Sequence, residues 1–143
     1  MVDKWDKRFI ELAQLVASWS KDPSTKTGAV IVRSDRTVAS LGFNGFPRNT
    51  DDNAAFYDNR DVKYAKIIHA ELNAILNAKE PIKGFTLYTS LFPCDRCATC
   101  IIQSGIGRVV TLTASDELKK RWRESFDNSS KYFKEAMVPV VEI

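Results

Sequence analysis

The sequence predicts an α/β protein, a three-layer α/β/α sandwich with a central five-stranded mixed sheet. Short β-branched runs alternate along the chain with stretches whose apolar residues recur at helical intervals, the pattern of a sheet covered by helices on both faces. At 143 residues and 44% hydrophobic composition the chain fits one domain, residues 1–143, with a sizeable core. No internal repeat, low-complexity segment or linker interrupts it.

Each element has its own signal. Trp5, Phe9, Leu12, Leu15, Val16 and Trp19 space an amphipathic helix over residues 5–19, whose stripe should cover the sheet. Pro23 and Gly28 mark a turn, and the apolar run 29–32 pairs with 37–43 through the turn 34–36 as a hairpin. Residues 44–61, rich in Asn, Asp, Gly and Arg, read as a long loop with room for a short helical piece. A helical pattern runs from 62 to 79 and contains His69 and Glu71. After the Pro81 break come a strand at 84–89, a helix at 94–104 closed by Gly105, and a strand at 107–112. Ser115 caps the final helix, and residues 137–143 form the last strand.

Composition narrows the function classes. The 21 basic and 18 acidic residues are interspersed and sum to +3, so no nucleic-acid footprint stands out. No stretch approaches a membrane span, and the charged opening residues 1–8 do not resemble a leader. Three cysteines, an odd number, suit a reduced, cytoplasmic compartment better than a disulfide framework.

The chemistry concentrates in two stretches, His69-Ala70-Glu71 and Pro93-Cys94-Asp95-Arg96-Cys97. Catalytic zinc is held by three protein atoms with a fourth position left for water, and His69, Cys94 and Cys97 meet that count. The chain has a single histidine, so a closed two-Cys, two-His site is excluded. His69 and Glu71, two residues apart, converge only if a helix starts near His69, because first-turn side chains lean towards the N-terminus. Cys97-Ala98-Thr99-Cys100 has the same spacing as the first pair, but Pro93 places Cys94 at a helix start and leaves Cys100 as a small buried hydrophobe. Two helix N-termini facing one metal favour thiolates. Glu71, not itself a ligand, stands where it can take the proton of the metal's water and deliver it to a substrate. Ser24, Lys26 and Thr27 supply hydroxyls and an ammonium for a phosphate, or make an ordinary polar turn. Asn44 can read a sugar hydroxyl, or form an Asn-Gly turn.

H-x-E paired with P-C-x-x-C is the signature of zinc deaminases acting on nucleobases. On residues 20–32, 42–48, 69–75 and 93–110 the chain resembles the cytidine deaminase superfamily, and within it the deoxycytidylate (dCMP) deaminases. The resemblance implies a cytidine-deaminase-like fold and hydrolysis of dCMP to dUMP and ammonia, which supplies dUMP for thymidylate synthesis. It implies catalytic Zn²⁺ on His69, Cys94 and Cys97, with Glu71 as the proton carrier. It also implies Ala70 backbone groups on the pyrimidine carbonyl, Ser24, Lys26 and Thr27 near the 5′-phosphate, and Asn44 in the substrate pocket. Family members are commonly homo-oligomers, often hexamers, activated by dCTP and inhibited by dTTP with Mg²⁺. The corresponding effector site would draw on Gly42, Phe43, Asn44, Gly45 and Arg48, across a subunit interface, or the same segment shapes the substrate pocket. Two positions depart from the family pattern: Phe43 replaces a usual tyrosine, and Phe92 precedes Pro93 where polar residues are frequent. The competing expectations are a superfamily member acting on a nucleoside, guanine or tRNA adenosine, and a noncatalytic zinc-stabilised interaction module. A free nucleotide suits the sequence better than a flipped nucleic-acid base, because no basic and aromatic strand-binding track is present.

Overall fold

A computed structural model describes residues 2–143. In chain order these form α1 (Lys4–Ala17), β1 (Gly28–Val32), β2 (Val38–Phe43), α2 (Ala54–Asp58), α3 (Arg60–Lys66) and α4 (Ala70–Asn77). There follow β3 (Thr86–Thr89), α5 (Asp95–Gln103), β4 (Arg108–Thr111), α6 (Asp116–Arg121), α7 (Arg123–Glu135) and β5 (Val140–Glu142). The strands lie in the order β2-β1-β3-β4-β5. β1 is antiparallel to β2 and β3, whereas β3, β4 and β5 run parallel, so the sheet is mixed as expected.

Strand alternation sorts the core into two layers. Val30, Val32, Tyr88 and Val110 face Phe9, Ile10, Ala13 and Val16 of α1. Ala29, Ile31, Leu87 and Val109 face the opposite way, against Ala70 and Ala74 of α4, Cys97, Ala98 and Ile101 of α5, and Phe133 of α7. The three-layer sandwich is therefore present. No helix among the described residues is long and apolar enough to cross a membrane.

Several elements differ from the sequence expectation. The first helix stops at Ala17, and Leu15 and Trp19 are 55% and 50% exposed. Leu15 lies about 120° around the helix from Phe9, off the buried face. Trp19, beyond the helix end, meets Phe43 edge-on at 6.2 Å. The expected loop 44–61 contains α2 and the start of α3, capped by the Asn53 and Asn59 side chains. The single helix expected over 62–79 is broken between Lys66 and Ala70. There Ile68 leaves helical geometry to pair with Gly45, accepting its amide at 3.1 Å and donating to its carbonyl at 2.8 Å. The final helix divides at Trp122 into α6 and α7, with Ser115 capping the first.

One buried charge ties the α1 layer to the sheet. The Asp6 carboxylate, 2% exposed, accepts from Arg108 Nη1 and Nη2 at 2.8 and 2.9 Å and from the Tyr88 hydroxyl at 2.8 Å. It also closes a capping box, accepting the Asp3 amide while Asp3 accepts its own. The Arg108 hydrogen bonds hold its pKa down at about 2, below the ordinary carboxylate range. A depressed folded-state pKa gives stability that is complete above the unfolded value and lost as pH falls through the folded one. Asp6→Asn should thus lower stability at neutral pH by about 2 kcal/mol. It should also flatten the decline between pH 5 and pH 2 relative to the parent. Urea unfolding across that range checks both, and parallel acid limbs in the two proteins would remove Asp6 from the acid-sensitive groups.

Candidate active site

Two helix starts meet at one point. His69 is the N-cap residue of α4 and Cys94 that of α5, both with extended backbone. The break before α4 puts His69 and Glu71 at the helix start that their spacing requires. Pro93 does the same for Cys94, so Cys97 lies in the first turn of α5.

The His69 Nδ1 atom lies 3.4 Å from Cys94 Sγ and 3.3 Å from Cys97 Sγ. All three donor atoms fall within 4.8 Å of one another. Around tetrahedral zinc, bonds of about 2.05 Å to nitrogen and 2.3 Å to sulfur separate the two donors by about 3.5 Å, so one borderline nitrogen and two sulfurs sit at a spacing zinc accepts. Cys100 is not in this group and is half-buried rather than buried, on the same helix but a further turn along. The cysteines are free thiols.

The electrostatics of the cluster are polarised. A hydrogen bond from Cys97, together with His69, draws the Cys94 thiol down to about 4. Cys97 is correspondingly raised by its Cys94 neighbour and by burial, and His69 is raised by its bond to Cys94. Zinc needs deprotonated sulfurs and a neutral imidazole, and one sulfur is already disposed to be thiolate. Glu71, 5% exposed, is pushed up to about 7 by burial, opposed by His69 and reinforced by the Cys94 thiolate. A carboxyl in that state can both donate and accept a proton near neutrality.

The family model for the cytidine and deoxycytidylate deaminase zinc-binding region matches residues 3–113. The chain belongs to this family. It is 46% identical over 140 residues to an uncharacterized deaminase in the luxG 3′ region of Aliivibrio fischeri, covering 98% of this chain and 94% of that one. It is 40% identical over 116 residues to human deoxycytidylate deaminase, covering 77% of this chain and 65% of the human one. Among solved structures, the dCMP deaminase of cyanophage S-TIM5 in complex with dCMP and dUMP superposes with a TM-score of 0.78 at 20% identity, over 100% of this chain and 99% of that one. That likeness bears on the fold, and the sequence relatives make this chain a deaminase.

The remaining residues singled out in the sequence fall into two groups. Asn44 is 5% exposed and its amide is engaged within the protein: Oδ1 accepts the Thr27 amide at 2.9 Å, and Nδ2 donates to Thr25 O at 2.8 Å and Asp22 Oδ2 at 3.3 Å. Here it shapes the turn 20–27 from inside. Thr27 is buried with it, Lys26 Nζ donates to Ser20 O at 2.6 Å, and the Ser24 hydroxyl bonds Asp22 at 3.0 Å. Ala70 is buried in the first turn of α4, where helix amides lack intrahelical partners.

The stretch expected to hold an effector does not present one surface. Gly42 faces α4, and a Cβ there would stand 2.5 Å from Ala74 N and 2.9 Å from Ala70 O. Its missing side chain therefore makes room for the helix. Phe43 packs on Trp19, Gly45 pairs with Ile68, and Arg48, exposed, donates to Asn77 Oδ1 at 2.7 Å. Lys63 was not evident from sequence, yet its ammonium bonds Asp22 at 2.8 Å and Ser24 Oγ at 2.7 Å. Asp-Pro at 22–23 is a turn signal that points to Asp22; nothing local points to Lys63.

Cys94→Ala and Cys97→Ala should each abolish stoichiometric zinc, and Cys100→Ala should retain it with a small packing cost. Metal content of the purified proteins decides the register. Zinc lost from Cys100→Ala and kept by Cys94→Ala would reverse it.

Proposed function

We propose that this chain is a zinc-dependent deoxycytidylate deaminase that converts dCMP and water to dUMP and ammonia, supplying dUMP for thymidylate synthesis. The observation that carries the proposal is the triangle of His69, Cys94 and Cys97 with the buried Glu71 beside it, in a chain 40% identical to human deoxycytidylate deaminase. One catalytic domain over residues 1–143 accounts for all of these parts. Zinc on the three ligands would supply Lewis-acid activation of water at neutral pH.

The protein's own contribution is proton management and placement. Glu71 accepts a proton from the attacking water as a C–O bond forms at C4, and delivers it to N3 of cytosine. Glu71 then takes the remaining proton from the C4 hydroxyl and passes it to the amine, so that the C4 carbonyl forms as the C4–N4 bond breaks and ammonia leaves. Burial keeps this carboxyl out of competition with bulk water. The free amides at the start of α4, around Ala70, suit the pyrimidine carbonyl as fixed donors. The turn carrying Ser24, Lys26 and Thr27 stays assigned to the 5′-phosphate. Asn44 serves that assignment by holding the turn, since its side-chain amide is occupied.

Glu71→Gln should bind zinc normally and lose turnover by about 10²–10⁴-fold, because the amide keeps the shape without carrying protons. Rates on dCMP, deoxycytidine, guanine and an adenosine stem-loop test the substrate. A preference for any of the last three would reject the dCMP assignment, and near-normal turnover by Glu71→Gln would reject the role of Glu71.

Regulation by dCTP and dTTP with Mg²⁺, in a homo-oligomer such as a hexamer, belongs to the same proposal. What supports it is a lever: Gly45 pairs with Ile68, the residue before His69, so a ligand drawing on Arg48 would act on the entry to α4. Effectors shift an equilibrium only through different affinities for its two states. dCTP·Mg²⁺ should make the dCMP response more hyperbolic and dTTP·Mg²⁺ less so, with both effects weakened in Arg48→Ala. A dCMP response indifferent to saturating triphosphate would remove regulation and leave catalysis standing.

A further inference from the structure

Cys94 is unusual as a helix N-cap. An N-cap side chain ordinarily accepts a first-turn amide, whereas the Cys94 thiol makes no capping hydrogen bond and faces His69 Nδ1 at 3.4 Å. The Asp95 amide instead donates to Ser125 Oγ of α7 at 2.9 Å. On the other side of Cys94, the Pro93 carbonyl accepts from Ser129 Oγ at 2.8 Å. Ser129 is 0% exposed, and its hydroxyl also lies 3.0 Å from Ser125 O. Asn128 Nδ2 adds a bond to the Asp95 carboxylate at 3.3 Å. Ser125, Asn128 and Ser129 stand at i, i+3 and i+4, on one face of α7.

Apolar contacts dock the helix alongside these polar ones. Phe133 enters the core, and Phe126 meets Phe92 edge-on with ring centroids 5.2 Å apart, which anchors α7 by apolar burial. The hydroxyls do something apolar contacts cannot: they fix the peptide units on both sides of a single residue. α7 also lies beyond residues 3–113, the stretch matched by the family model.

We infer that Ser125 and Ser129 are positioning residues for the metal centre. α7 takes over the capping of α5 and holds the backbone on both sides of Cys94, leaving its sulfur free to converge with His69 and Cys97. The inference rests on the assignment of those three residues as zinc ligands. Groups that orient metal ligands typically contribute about 10–100-fold in metal affinity, and the serines would do so through the main chain.

The test compares Ser125→Ala, Ser125→Thr and Ser129→Ala with the parent, and uses Val16→Ala, on α1 across the sheet, as a control for general destabilisation. Zinc affinity is measured by competition with a chromophoric chelator, and the urea midpoint of each metal-stripped protein is measured alongside. Ser125→Ala and Ser129→Ala should weaken zinc binding by about 10–100-fold. Ser125→Thr, which keeps the acceptor oxygen, should recover most of the loss. Val16→Ala should lower the midpoint with zinc affinity unchanged. Parent-like affinity in both alanine variants, or a loss no larger than in Val16→Ala at equal destabilisation, would reduce the serines to docking contacts and overturn the inference. A parent protein that binds no zinc would overturn the ligand assignment and the clamp together; a zinc-binding parent with indifferent variants overturns the clamp alone.

Discussion

Two helices must begin at the same place, and much of the structure serves that requirement. α4 can start at His69 only because the preceding residues are drawn out of α3 by pairing with Gly45. β2 must then pass close beneath α4, and it does so at Gly42, where any side chain would strike the backbone of Ala70 and Ala74. α5 is brought to the same point by the end of β3 and by Pro93. The candidate site thus lies beyond the carboxyl end of a parallel strand, where β3 turns the sheet from antiparallel to parallel pairing, a common location for sites in open α/β sheets.

Such convergence has an electrostatic cost that the same helices reduce. Burying an isolated carboxylate or thiolate costs several kcal/mol, and this site gathers Glu71, Cys94 and Cys97. The first-turn amides of α4 and α5 carry partial positive charge towards them, and the imidazole adds a further donor. A divalent cation balances two thiolates and a neutral imidazole, so the donor set and its surroundings suit the same charge. Glu71 is left out of that balance, and its pKa is raised because burial outweighs the opposing effect of His69.

The parts legible in sequence are those whose geometry is local. His69, Glu71, Cys94 and Cys97 could be placed because each pair is separated by two or three residues and each needs a helix start. β-branched runs and Pro81 set the strands well enough to predict the sandwich. What could not be read depends on distant partners. The interruption at Ile68 exists because of Gly45, so the periodicity of residues 62–79 looks like one helix. Ser129 meets Pro93 across 36 residues and Lys63 meets Asp22 across 41, and neither contact leaves a mark on its own segment. The direction of the Asn44 amide was similarly invisible, since Asn-Gly describes a backbone preference and does not say what the side chain will face.

That amide joins the turn 20–27 to the cluster of His69, Cys94 and Cys97. It binds Thr25 and Thr27 on one side, and its own chain neighbour Gly45 pairs with the residue preceding His69 on the other. Asp22 gathers the amides of Ser24 and Thr25 into the same turn. A carboxylate buried there would by itself repel any anion approaching those hydroxyls, but Lys63 stands against it at 2.8 Å and offsets its charge. The turn can therefore be rigid without presenting a negative face, as its proposed role at the 5′-phosphate would require. Because Lys63 is on α3, the helix that ends immediately before the Ile68 pairing, the turn and the start of α4 are anchored to one intervening segment. On the proposed reading, residues 44–68 would then set the spacing between the phosphate and the reacting ring.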